Sequence, residues 1–185
     1  MPISLWLCPP SGSHVQQSLE QLIQTFASII DVFREDKSPV FPAHLTITND
    51  VSIENEQEIS QKLGDLTKLA GETAIEFEGV DYRGSYFVAV PLACHQTDSL
   101  LALATKARQI LVGDDEIAFL KSYRPHVSLA YTNVDPIPTD ARSYIEGHVL
   151  KLLQYTHGWN GGRLVLMKCE GPVDSWTALG HKDII

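Results

Sequence analysis

The sequence contains one four-residue pattern twice, His44-Leu45-Thr46-Ile47 and His126-Val127-Ser128-Leu129, each reading histidine, apolar, hydroxyl, apolar. One copy lies in each half of the chain, inside a short apolar run. On a strand, residues i and i+2 point to the same side. The pattern therefore predicts that His44 and Thr46 share one face while Leu45 and Ile47 enter a core. His126 and Ser128 should likewise share a face, with Val127 and Leu129 buried. Two such strands, one per half, suggest a fold whose halves resemble each other.

The surrounding periodicity supports this. Residues 3–8 alternate strictly, which predicts a strand with Ile3, Leu5 and Leu7 on one face and Ser4, Trp6 and Cys8 on the other. Pro9-Pro10 ends it, and Ser11 or Ser13 can cap a helix over Val15–Phe33. Residues 34–43 read as a loop, His44–Thr48 as a strand, and the polar segment 53–69 as helical. Strands are expected at Ala74–Val80 and Tyr86–Leu92, an amphipathic helix at 97–112, and a strand at His126–Tyr131. A helix over 139–153 precedes strands at Leu164–Met167 and Ser175–Gly180, with Gly158–Gly162 read as a turn. This order predicts an α+β fold with mostly antiparallel pairing, and a single domain over residues 1–185 made of two lobes without a clear linker.

Charge and composition narrow the partners. Fourteen basic against 23 acidic residues give a net charge of −9, which repels a long polyanion and favours a small phosphate ligand, if phosphate is bound at all. No stretch approaches the roughly 20 apolar residues of a membrane helix, and the N-terminus lacks the basic start of a signal peptide. Cys8, Cys94 and Cys169 have no CxxC spacing, so they are expected to pack as small hydrophobes in a reducing compartment. The expected location is intracellular, cytoplasmic or endomembrane-associated without a membrane span.

Two imidazoles and two hydroxyls lining one cleft make a kit for phosphate ester hydrolysis. One neutral imidazole takes a proton from water, and one imidazolium gives a proton to the leaving oxygen. Histidine suits both tasks because its ordinary pKa is about 6.5. The hydroxyls donate to the non-bridging oxygens. A third match, His95-Gln96-Thr97, lacks the apolar strand, and its Thr97 reads as a helix cap. Neither His44 nor His126 has a carboxylate or cysteine beside it in its motif, so the pair makes a poor metal site, and no metal is expected. Arg124 is expected to be solvent-exposed.

The paired motifs resemble those of the 2H phosphoesterase superfamily, and within it the chain looks like the fungal and plant cyclic phosphodiesterases. Ile3-Ser4-Leu5-Trp6-Leu7-Cys8-Pro9 is similar to the first strand of that family, and Pro125-His126-Val127-Ser128-Leu129-Ala130-Tyr131 to its second motif with the trailing tyrosine. The resemblance implies a bilobal, pseudo-two-fold fold, with two mostly antiparallel sheets lining a central cleft and helices outside. It implies hydrolysis of nucleoside 2′,3′-cyclic phosphates, and of ADP-ribose 1″,2″-cyclic phosphate, without a metal; a monomer that needs no cofactor is expected. His44 and His126 would be catalytic, with His126 activating water and His44 protonating the leaving oxygen, and Thr46 and Ser128 would bind the phosphate. Trp6 and Tyr131 would touch the substrate; Trp6 alternatively packs the lobes, and Tyr131 can reach the site only if its strand ends or bulges there. The rival readings are an RNA-end-processing phosphodiesterase of the same superfamily and a non-catalytic nucleotide-binding module.

Overall fold

The two motif strands pair directly with each other. In the computed structural model, which describes residues 3–33, 37–53, 56–113 and 116–184, β2 (Leu45–Thr48) and β5 (His126–Ala130) are antiparallel neighbours with Leu45 opposite Val127. They sit at the centre of one eight-stranded sheet. On the β5 side follow β4 (Val90–Cys94), β3 (Ala74–Val80) and β6 (Gly158–Asn160). On the β2 side follow β1 (Ile3–Cys8), β7 (Gly162–Lys168) and β8 (Thr177–Ile184). All seven pairings are antiparallel.

The α+β class is as expected, but the two separate sheets are not. The halves meet edge to edge through β2 and β5, and backbone hydrogen bonding across that seam makes one sheet of them.

Five helices are described: α1 (His14–Ile30), α2 (Glu56–Gly71), α3 (Asp98–Leu111), α4 (Glu116–Ser122) and α5 (Thr139–Leu153). α1 packs on β5 and α5 on β3, while α3 packs on β2 and α2 on β7 and β8. Leu5, Leu7, Leu45, Ile47, Val127 and Leu129 are fully buried in the core that results. The in-facing half of each motif thus anchors the sheet, and its alternate residues are left to the other face.

Local chemistry explains where the elements begin and end. Ser13 caps α1, its hydroxyl accepting from the Gln16 N–H at 3.2 Å. The helix stops at Ile30, and Asp31–Phe33 tighten into a 3₁₀ turn with Val32 and Phe33 exposed, so the apolar periodicity outruns the helix by three residues. Thr97 caps α3 by accepting from the Leu100 N–H, and its hydroxyl donates to the Ala74 carbonyl, which accounts for the third motif-like match. Tyr86–Val88 is a 3₁₀ turn and not the start of a strand. Its carbonyls are taken elsewhere: Tyr86 O accepts from the Thr132 N–H and Phe87 O from the Ser128 hydroxyl.

Two elements have no counterpart in the periodicity. α4 has seven residues, too few to display one. β6 occupies part of the segment read as a turn and pairs with Ala74–Glu76. Gly162 opens β7 at φ +113°, where a Cβ would collide with the Cys8 carbonyl, so glycine permits the close β1–β7 approach.

Candidate functional site

β2 and β5 bring the two motifs together by register. Leu45 faces Val127 across an antiparallel pair. One step either side, that register sets His44 opposite Ser128 and Thr46 opposite His126, on the face turned away from the core. The neighbouring strands extend this face. Trp6 lies opposite Thr46 and Val165, His126 opposite Ala93, and Ser128 opposite Pro91.

Both imidazoles are anchored in the same way. His44 Nδ1 lies 2.7 Å from the Pro42 carbonyl oxygen, and His126 Nδ1 lies 2.8 Å from that of Arg124. In each case the acceptor belongs to the residue two positions earlier. A carbonyl only accepts, so Nδ1 carries the proton in both rings and the lone pair of the neutral form sits on Nε2. Burial lowers the His44 pKa to about 4, opposed by the Pro42 hydrogen bond and aided by the charge of His126. His126 is also lowered, first by burial; its bond to Arg124 O raises it, Arg83 lowers it and Asp81 raises it. Both rings are therefore neutral at pH 7.

The hydroxyls differ. The Thr46 hydroxyl has no hydrogen-bond partner among the described residues, while its carbonyl accepts from the buried Tyr123 hydroxyl at 3.0 Å. The Ser128 hydroxyl donates to Phe87 O at 2.9 Å.

Trp6 is 2% exposed, with its indole stacked on the His44 ring at a centroid distance of 3.5 Å and 11° between planes. Its edge faces Trp176 at 6.0 Å. β5 ends at Ala130, which frees Tyr131 from strict alternation. Tyr131 stacks on Phe41 at 3.9 Å, and burial raises its phenol while a hydrogen bond with Ser128 opposes the rise.

The sequence reading overlooked Phe87 and Trp176. Phe87 lies in the 3₁₀ turn before β4, and Trp176 in the loop between β7 and β8. Each loop belongs to a different half of the sheet, yet their rings approach to 6.0 Å, and Tyr131 lies 5.3 Å from Phe87 and 6.1 Å from Trp176. Phe87 is 54% exposed, which is unusual for a phenylalanine beside an aromatic cluster. Neither residue lies in a repeated motif, so only proximity could reveal them. His95 is exposed, and so is Arg124, the latter as expected. Of the free cysteines, Cys94 is buried and Cys8 and Cys169 are half-buried.

No group of three or more His, Cys, Asp or Glu able to hold a metal ion occurs among the described residues. No described helix is long and apolar enough to cross a membrane.

A family model described as cyclic phosphodiesterase-like protein matches residues 1–184. The chain belongs to that family. Two relatives of this cyclic phosphodiesterase-like chain are 2′,3′-cyclic-nucleotide 3′-phosphodiesterases, from Kluyveromyces lactis at 28% identity and from Phaeosphaeria nodorum at 30%. Each match covers 98% of both chains. Among solved structures, Kluyveromyces marxianus Usb1 is similar at 13% identity, with a TM-score of 0.47 over 96% of this chain and 97% of that one, too distant to bear on function.

Proposed function

We propose that the protein is a 2′,3′-cyclic-nucleotide 3′-phosphodiesterase, opening a ribose cyclic phosphate by acid–base catalysis from His44 and His126 without a metal. The observation that carries this reading is the matched anchoring of the two imidazoles, which reserves both Nε2 atoms on one face beside two hydroxyls. The relatives' activity supports the substrate class. ADP-ribose 1″,2″-cyclic phosphate, whose cyclic ester is of the same kind, is a second substrate. The four strands on either side of the β2–β5 seam are read as two pseudo-symmetric lobes, each supplying one histidine and one hydroxyl.

The reaction runs as follows. The cyclic phosphate monoanion sits between the rings, with Thr46 and Ser128 donating to its non-bridging oxygens. Ser128 must turn from Phe87 O to do so. Water attacks phosphorus in line with the departing 3′ oxygen. His126 Nε2 accepts the proton of the attacking water, and His44, protonated at Nε2 when substrate binds, gives that proton to the 3′ oxygen. The P–O3′ bond breaks and a nucleoside 2′-phosphate remains. The proton now on His126 exchanges with solvent, which restores the pair. The assignment of acid and base rests on the resemblance, and the indole against His44 favours it, because an aromatic face stabilises a cation lying over it.

Trp6 then acts through His44 and does not itself hold the base. The exposed Phe87 and the half-buried Trp176 are the better base platform, within reach of Tyr131.

The deciding experiment assays a panel of nucleoside 2′,3′-cyclic phosphates and ADP-ribose 1″,2″-cyclic phosphate in EDTA, with the product isomer identified. Turnover to the 2′-phosphate with chelator present is expected. Complete loss in EDTA, restored by a divalent ion, overturns the metal-free mechanism, and a 3′-phosphate product overturns the assigned direction of cleavage.

A further inference from the structure

Burial alone sets the two imidazoles to the wrong tasks. His44 is 4% exposed and His126 is only half-buried. On that ground His126 is the ring more easily protonated, yet it is the one that must accept a proton from water. A counterweight is needed on the His126 side, and the loop after β3 holds one.

In that loop Arg83 and Asp81 form an ion pair, with Arg83 Nε 2.6 Å from Asp81 Oδ2. The loop is pinned to its surroundings. The Asp81 N–H donates to the Pro91 carbonyl at 3.0 Å, the Tyr82 hydroxyl donates to the Arg142 carbonyl, and the Arg142 guanidinium lies over the Tyr82 ring. Arg83 thereby borders a cavity of about 880 Å³ beside His126, together with Lys121 and Arg124. Its Nη1 donates to the Arg124 carbonyl at 3.5 Å, and the same carbonyl accepts from His126 Nδ1 at 2.8 Å. One oxygen, with two lone pairs, joins the guanidinium to the imidazole. The other half of the site has no such bond. Pro42 O accepts from His44 Nδ1, and no cation among the described residues is bonded to it.

The groups around His126 carry both signs. Glu78 of β3, His95 just past β4 and Lys121 of α4 border the same cavity, and His44 stands across the seam beside β2. Arg124 turns its Nη1 to the carbonyls of Lys121 and Tyr123. Arg83 and Asp81 are the charged side chains that act on His126, in opposite directions, and Arg83 acts more strongly. The Arg83 side chain is 24% exposed against 50% for Asp81, so water and salt screen it less.

We propose that Arg83 is a positioning residue for His126: through the Arg124 carbonyl it fixes the ring, and its charge keeps Nε2 unprotonated and ready to take the proton of the attacking water. Asp81 moderates that charge and orients the guanidinium. The proposal rests on the two-histidine reading and supplies the fixed charge that separates base from acid within it. A cation on the His126 side and the Trp6 indole on the His44 side push the pair the same way, toward a neutral His126 and a protonated His44.

The test follows kcat/KM for a nucleoside 2′,3′-cyclic phosphate against pH, together with an NMR titration of the His126 imidazole, whose signal is identified by its loss in His126→Gln. Loss of the Arg83 charge makes His126 easier to protonate. In Arg83→Gln the acidic limb of the profile, where the base is lost to protonation, should therefore move to higher pH, so the fall in kcat/KM should be several-fold larger below the limb than on the plateau. Asp81→Asn should move the limb to lower pH, and Arg83→Lys should hold it near wild type. Lys121→Gln, which removes a cation bordering the same cavity, should leave the limb in place. The His126 titration should shift in step with each limb. A merely structural role for the ion pair lowers activity in both Arg83→Gln and Asp81→Asn without moving their limbs apart, and that result overturns the proposal. So does a His126 titration that is the same in all variants, and either outcome leaves the hydrolase reading intact. A shifted His126 titration with an unmoved limb shows that His126 is not the base and also overturns it. Failure of the wild type to hydrolyse any cyclic phosphate overturns the reading on which the proposal rests.

Discussion

The His44 imidazole lies flat against the Trp6 indole, with ring centroids 3.5 Å apart and planes 11° from parallel. With Nδ1 bound to Pro42 O, the stack fixes the second degree of freedom of the ring. Trp6→Phe should therefore lower kcat more than it raises KM, by loosening His44. Trp6→Ala should in addition destabilise the protein by about 3–5 kcal/mol, the usual range for a large buried aromatic. Steady-state kinetics and denaturant unfolding separate the effects. A raised KM with unchanged kcat in a folded Trp6→Phe variant would return Trp6 to a base-stacking role.

His44→Gln and His126→Gln should each lower kcat by about 10²–10⁴-fold, the range for a single acid or base. The double variant should fall well short of the product of the two losses, because the residues act as a unit. Glutamine is preferred to alanine because His44 is 4% exposed and alanine would leave a cavity. His95→Gln is the control and should match wild type, since His95 is exposed. A His95 variant as damaged as the others would end the two-motif argument.

Stability should depend on pH through His44. Its pKa is about 4 folded against 6.5 unfolded, so the unfolded chain binds the proton more tightly. The favourable contribution is complete above pH 6.5, declines as pH falls below it and is gone below about pH 4. The loss should be about 3 kcal/mol, at 1.36 kcal/mol per pKa unit. His126 is lowered too and adds a loss of the same sign. Denaturant unfolding at pH 7.5, 5.5 and 4 should show a shallower decline for His44→Gln than for wild type. Parallel curves would show that His44 titrates normally.

Anion binding should take up protons. Burial lowers both imidazoles, and an anion between them raises both. Calorimetry of sulfate binding near pH 6, in two buffers of different ionisation enthalpy, should report net proton uptake, reduced in His44→Gln. No uptake at any pH between 5 and 7 would mean that neither ring charges against the anion, and the acid role of His44 would fail.

Phe87→Ala and Trp176→Ala should raise KM by about 5–150-fold with little change in kcat, the span of a lost stack worth about 1–3 kcal/mol. Phe87 is exposed, so its variant should unfold as wild type does. An unchanged KM in both variants would leave the base without this platform.

Alternation alone made much of this legible. Leu45, Ile47, Val127 and Leu129 are buried as their spacing requires, and that leaves His44, Thr46, His126 and Ser128 to the opposite face, because side chains on a strand alternate. Helical spacing found α1, α2, α3 and α5, and Ser13 and Thr97 announced two of their caps. The sequence could not say that β2 and β5 are neighbours in one sheet, because strand order depends on long-range backbone pairing that leaves no local pattern. Nor could it show that Trp6 is covered by His44, since alternation gives a side chain's face and not what lies against that face. The meeting of Phe87 with Trp176 and the grouping of Arg83, Lys121 and Arg124 beside His126 also came only from tertiary structure. These residues lie on turns, loops and a short helix, where no period links one position to the next and only the folded chain decides which side chains meet.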